Sequence, residues 1–264
     1  MSGAMSLLEI LTLDRIEVDV YVGRGPSYPW GGLYGGQIIA QALRAACGST
    51  TPTQSAHSLH AYFIQSGTME REVRYEVERL RDGRSFSTRR VVAKQGEQVL
   101  ASVAVSFQAP EASPDLSTQE APSVAHWSSL PEGSWSPLVE RHVAPTGDVG
   151  RASAWMKIAE RFGDEPALHL AALAFLSDDL PTDAVGMLHP ERVTPGPEPW
   201  PFFNASLDHA IHFHAPMRAD EMHLHDFVAT RFSGARGLSR GAIYDAAGRH
   251  VATITQELLL RRRR

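Results

Sequence analysis

One order of elements occurs twice along the chain. In residues 31–49, "GGLYGGQIIAQALRAACGS", glycines lead into Ile38, Ile39, Ala42, Leu43 and Ala46 at i, i+3/i+4 spacing, the stripe of a helix facing a core. Four strand-like runs follow, "SLHAYFI", "EVRYEVERL", "FSTRRVVAKQ" and "QVLASVAVSFQ", with Asp82-Gly83 as a hairpin turn. The second half repeats the order: "EPALHLAALAFLSD", then "SLDHAIHFH", "MHLHDFVATRFSG", "GLSRGAIYD" and "HVATITQELLL". "SLHAYF" at 58–63 stands opposite "DHAIHF" at 208–213, which implies duplication of one helix-plus-sheet unit. A helix as apolar as either of these must be wrapped by its sheet, so the class is α+β with antiparallel sheets.

Between the halves, residues 108–137 are dense in Pro, Ser and acidic side chains and show no period, the signature of a linker or long surface crossing. The expected division is an N-terminal domain at 1–110, a linker at 111–130 and a C-terminal domain at 131–264. A net charge of −5 argues against a nucleic-acid partner, because phosphate backbones need a concentrated basic face. No run of about 18 apolar residues occurs, so stable membrane insertion is not expected. The single cysteine, Cys47, precludes an internal disulfide and fits a reducing, cytoplasmic setting. Its small neighbours point to packing rather than nucleophilic chemistry.

The stretch "NASLDHAIHFH", residues 204–214, places one carboxylate among three histidines in an alternating run. Asp208, Ala210, His212 and His214 share one strand face; Leu207, His209, Ile211 and Phe213 share the other. Two chemistries compete for this pattern. A metal site would draw on His212 and His214, with His223 and His225 of "HLH" as further ligands, but HxH on a strand arises easily by chance and no metal is expected. No Gly-x-Ser-x-Gly occurs, which leaves water as the more natural nucleophile.

Taken in order, "YGGQIIAQAL", "HSLHAYF", "LRDGRSFSTRRVVAKQ", "ASVAVSFQAPE", "SLDHAIHFH" and "ATITQE" resemble the type II acyl-CoA thioesterases, the TesB family, over nearly the whole chain. The resemblance implies a tandem, or double, hot-dog fold in which the two sheets join into one surface. It implies hydrolysis of an acyl-CoA thioester to free fatty acid and CoA by an oriented water, with no covalent intermediate and no cofactor, and a homo-oligomer is expected. By position in the motifs, the family's Asp, Thr and Gln trio would be Asp208, Thr230 and Gln256. Gly35, Gly36 and Gln37 at the helix start would receive the thioester carbonyl, and His57 would line the pocket. Arg84, Arg89, Arg90 and Arg236 are available for CoA phosphates. One departure stands out: "IQSG" follows "HAYF" where the family usually carries Leu-Arg-Pro-Gly. Two alternatives share the pattern. A hydratase or dehydratase on the same fold would pair His209 or His212 with Asp208, and a non-catalytic module would bind acyl-CoA without turnover.

Overall fold

The computed structural model describes residues 5–191 and 201–263. Helix α1 (Leu7–Leu11) opens the chain, closed at its N-terminus by a reciprocal Ser6/Glu9 capping box. There follow β1 (Asp14–Glu17), β2 (Val20–Gly23), the long helix α2 (Gly35–Cys47) and four strands, β3 (Ser55–Phe63), β4 (Val73–Asp82), β5 (Phe86–Gln95) and β6 (Gln98–Gln108). The second half holds β7 (Val139–Ala144), β8 (Arg151–Ile158), α3 (Pro166–Ser177), α4 (Leu180–Leu188), β9 (Phe202–Ser206), β10 (Asp208–Phe213), β11 (His223–Ser233), β12 (Arg236–Asp245) and β13 (His250–Arg262).

Among the described residues the strands form one thirteen-stranded sheet, ordered β1-β2-β4-β5-β6-β3-β10-β13-β12-β11-β8-β7, with β9 also on β13. Every pairing is antiparallel, and the halves meet where β3 pairs with β10, from Asp208 opposite Tyr62 to His212 opposite Ser58. This is the double hot dog expected from the resemblance: one continuous sheet curls around α2 and α3, which pack on each other. Burial explains the composition of the helices. Ile39, Leu43, Leu173 and Phe175 are fully buried, and each such side chain contributes about 1.5–3 kcal/mol relative to exposure.

The Pro/Ser-rich stretch after β6 is not free of the core. Ala121, Val124, Trp127 and Leu130 pack on Trp155, Leu224 and Tyr244, and Trp155 Nε1 donates to the Ala125 carbonyl at 3.0 Å. This crossing lies over β8, β11 and β12, so β8 buries side chains on both faces and lacks simple alternation.

If the chain is cut within residues 112–126, the halves are expected to be poorly soluble alone. Separation leaves the ladder edges of β3 and β10 unpaired and bares the α2–α3 contact. Two well-dispersed monomeric fragments in sedimentation would contradict the joined sheet.

Candidate active site

Antiparallel packing sets the N-terminus of α2 against the C-terminus of α3. Gly36 permits the approach, since a Cβ there would lie 2.4 Å from the Phe175 carbonyl oxygen. The Tyr34 hydroxyl donates to that same carbonyl at 2.9 Å, and its ring packs edge-on against Phe175 and Trp135. Tyr28 and Trp30 stack beside them with centroids 5.1 Å apart, completing an aromatic wall at the start of α2.

Asp178, the C-cap residue of α3, is buried at this junction. Its Oδ2 accepts from the Gly36 backbone N–H at 2.8 Å and its Oδ1 from the Ser206 hydroxyl at 2.9 Å. Gln256 Nε2 donates to Ser206 Oγ at 2.9 Å, and the Gln256 amide also reaches the carboxylate. Burial pushes the Asp178 carboxyl up to about 6, against the opposing pull of Ser206, Gln256 and Gly36. The neighbouring Asp179 pairs instead with Arg141, at 2.9 Å. A carboxylate of raised basicity, a hydroxyl and an amide thus meet at the positive end of a helix, a combination able to orient a water and accept its proton.

Of the residues expected from sequence, Gln256 lies in this cluster, and Asp208 and Thr230 do not. Gln256 is buried on the helix-facing side of β13 with Ile254 and Leu258, whereas Asp208 lies on the outer face of the sheet with His212. Asp208 Oδ1 accepts the Glu257 N–H at 2.7 Å, where β13 changes partner from β10 to β9. It fills a gap in the ladder, and burial raises its carboxyl above the usual range. Thr230 is exposed on β11, donates to the Leu238 carbonyl at 3.2 Å and has β12 between it and β13. Asp208→Asn is therefore expected to keep kcat within about threefold of the parent, because the amide oxygen can still accept from Glu257, while Asp208→Ala loses about 1 kcal/mol of stability by orphaning that N–H. Thermal unfolding together with a thiol-release assay checks both.

The substrate-binding expectations divide similarly. Gly35 and Gly36 do sit at the cluster, but the Gly36 N–H is engaged by Asp178, and a Cβ at Gly35 would come within 2.7 Å of Asp178 Oδ2. Gln37 is buried, its Oε1 accepting from the Tyr28 hydroxyl at 2.8 Å, so its side chain belongs to the packing of the Tyr28 loop. His57 shares a hydrogen bond with Ser106 Oγ at 2.8 Å on the outer face, away from the α2 N-terminus. Arg89, offered above for phosphate, is 1% exposed and held by Ser49 and Asp82; Arg90 and Arg236 are ion-paired with Glu78 and Glu257. His212 stands on β10, with His214 just beyond its end, and His223 and His225 stand on β11, with two strands between; among the described residues no three metal-ligating side chains converge. His209, which a hydratase would pair with Asp208, faces the opposite side of the sheet. Cys47 packs against the core, and burial pushes its thiol up to about 12.

Comparison with known proteins shows the family. A family model described as the acyl-CoA thioesterase N-terminal domain matches residues 25–108, and its C-terminal-domain counterpart matches residues 109–260. The chain belongs to the acyl-CoA thioesterase family. The crystal structure of an acyl-CoA thioesterase II, TesB2, from Mycobacterium marinum is 32% identical with a TM-score of 0.86, covering 98% of this chain and 99% of that one. Acyl-CoA thioesterase 2 of Haemophilus influenzae is 29% identical over 288 residues, 97% of each chain. A protein of unknown function with a hot dog fold from Alicyclobacillus acidocaldarius shares the fold alone, at 18% identity and TM-score 0.80, over 97% of this chain and 98% of that one. Asp178 and Ser206 belong to the cluster around Gln256 without being marked by motif position. Asp178 had a legible signal: a helix apolar on all sides ends abruptly in "SDD", and a carboxylate there must be buried or capped.

Proposed function

We propose that the chain hydrolyses acyl-CoA thioesters to the free acid and CoA, with water activated by Asp178 and oriented by Ser206 and Gln256. The convergence of those three side chains on the first turn of α2 carries this reading. Asp178 accepts a proton from the water as its oxygen bonds to the thioester carbon. The carbonyl oxygen takes up negative charge, which the positive end of the α2 dipole stabilises. Collapse of the tetrahedral intermediate breaks the carbon–sulfur bond, and the proton held by Asp178 passes to the departing thiolate. Ser206 donates to Asp178 and accepts from Gln256, so its hydroxyl has one orientation and the carboxylate one rotamer.

The proposal extends to a cytoplasmic location and a homo-oligomeric state, which cell fractionation and sedimentation equilibrium test directly. Thiol release over a ladder of acyl-CoA chain lengths tests the activity itself; acyl-CoA binding without turnover at every length would leave only a binding module. The pH profile tests the base. Since Asp178 acts ionised and its carboxyl stands at about 6, kcat/KM is expected to fall about tenfold per pH unit below that value and to level off above it. A profile still flat at pH 4.5 to 5 would rule out this carboxylate as the base.

A further inference from the structure

His209 is 1% exposed on the helix-facing side of β10, and both of its ring nitrogens are engaged. Nδ1 contacts Gln256 Oε1, and Nε2 stands 2.8 Å from the hydroxyl of Ser177, the residue next to Asp178. The ring therefore joins the two arms of the site, the end of α3 and strand β13.

We propose that Ser177 and His209 form a tautomer lock that holds the Gln256 amide in the one orientation able to serve Ser206 and Asp178, making both of them positioning residues for the hydrolysis. The inference rests on the Asp178–Ser206–Gln256 reading above. Hydrogen-bond valence carries it. A Gln amide oxygen only accepts, so the proton on the ring must be at Nδ1 for Oε1 to face His209 and Nε2 to face Ser206. With the proton on Nε2, the amide would turn to donate to Nδ1, and its oxygen would face the Asp178 carboxylate. Burial lowers the His209 pKa to about 4, so the ring is neutral near pH 7 and has one lone pair to satisfy. Ser177 supplies that proton. Its hydroxyl can reach the Ala174 carbonyl, at 2.9 Å, or His209 Nε2, and directing it to Nε2 completes the Nδ1–H tautomer. Neither residue touches the water, so both act through Gln256.

The test uses the full-length protein and a saturated medium-chain acyl-CoA. His209→Phe keeps the apolar bulk and removes the donor; kcat is expected to fall roughly 10- to 100-fold with KM changed less than about threefold, the size expected when an outer residue orients a working group. His209→Asn places an amide N–H near the position of Nδ1 and should recover most of that loss. Ser177→Ala should lower kcat by a smaller factor in the same direction. The ¹⁵N spectrum of ring-labelled wild-type protein should show a proton on Nδ1 and none on Nε2 of His209, a readout that needs neither activity nor a folded variant. A proton on Nε2, unchanged kcat in His209→Phe, or equal impairment of His209→Asn and His209→Phe would each overturn the lock. Those results would leave the Asp178 base standing, because that reading is judged separately by replacement of Asp178 and by the pH profile.

Discussion

Gly36→Ala is expected to destabilise the protein and to cripple turnover together. The added Cβ would lie 2.4 Å from the Phe175 carbonyl oxygen and 2.5 Å from a Tyr34 ring carbon. Neither neighbour can yield easily. The carbonyl belongs to the backbone of α3 and accepts from the Tyr34 hydroxyl, while the Tyr34 ring is wedged between Trp135 and Phe175. Overpacking of this kind costs about 1–3 kcal/mol, and for a chain of this size each kcal/mol lowers Tm by roughly 2–4 °C. Relief would require α2 and α3 to part, pulling the Gly36 N–H away from Asp178, and a misplacement of about 1 Å at reacting groups can cost on the order of 100-fold in rate. Thermal unfolding and thiol release measure the two effects. Gly133→Ala is the control, since a Cβ there meets nothing within 4 Å. Parent-like stability and rate in Gly36→Ala would show that the helix ends are not in the close contact described.

Much of the sheet is legible in the sequence because antiparallel strands with one dry face alternate. The runs at 86–95 and 98–108 coincide with β5 and β6, and "GGQIIAQALRAAC" is α2. Illegible elements fail for identifiable reasons. β8 is covered on its outer face by the Pro/Ser-rich crossing, so "RASAWMKI" lacks a period of two. Trp127 and Trp135, embedded in that crossing, read as linker although both pack against aromatic or apolar neighbours.

Of the proposed cluster only Gln256 was legible in the sequence by motif position, and strand parity separates it from Asp208. Gln256 alternates with Ile254 and Leu258 and so must face the helices; Asp208 alternates with His212 and so must face away. The two side chains therefore leave the sheet on opposite faces. Ser206 gives no such signal. It closes β9 just before the strand path moves to β10, and its inward direction depends on the pairing of Ser206 with Leu258, which only the folded register fixes.

Replacement of Asp178 by Asn should produce the largest loss of rate. The amide keeps the size of the carboxylate: its oxygen can accept from the Gly36 N–H and its nitrogen can donate to Ser206 Oγ, so the local packing survives. What disappears is the acceptor for the water's proton, worth about 10²- to 10⁴-fold in kcat, while acyl-CoA affinity should change little. Stability moves in the other direction. A carboxyl whose folded pKa is raised to about 6 from an ordinary 3.8 favours the folded state most below the ordinary value, and that contribution is lost as pH rises through 6. A neutral Asn should therefore leave Tm at pH 8 equal to or above that of the parent, which separates lost chemistry from lost folding. The decisive measurement is kcat of Asp178→Asn for thiol release from acyl-CoA at pH 8, in protein with parent-like Tm: a fall of about 10²- to 10⁴-fold is the predicted result, and parent-like turnover would contradict a catalytic Asp178.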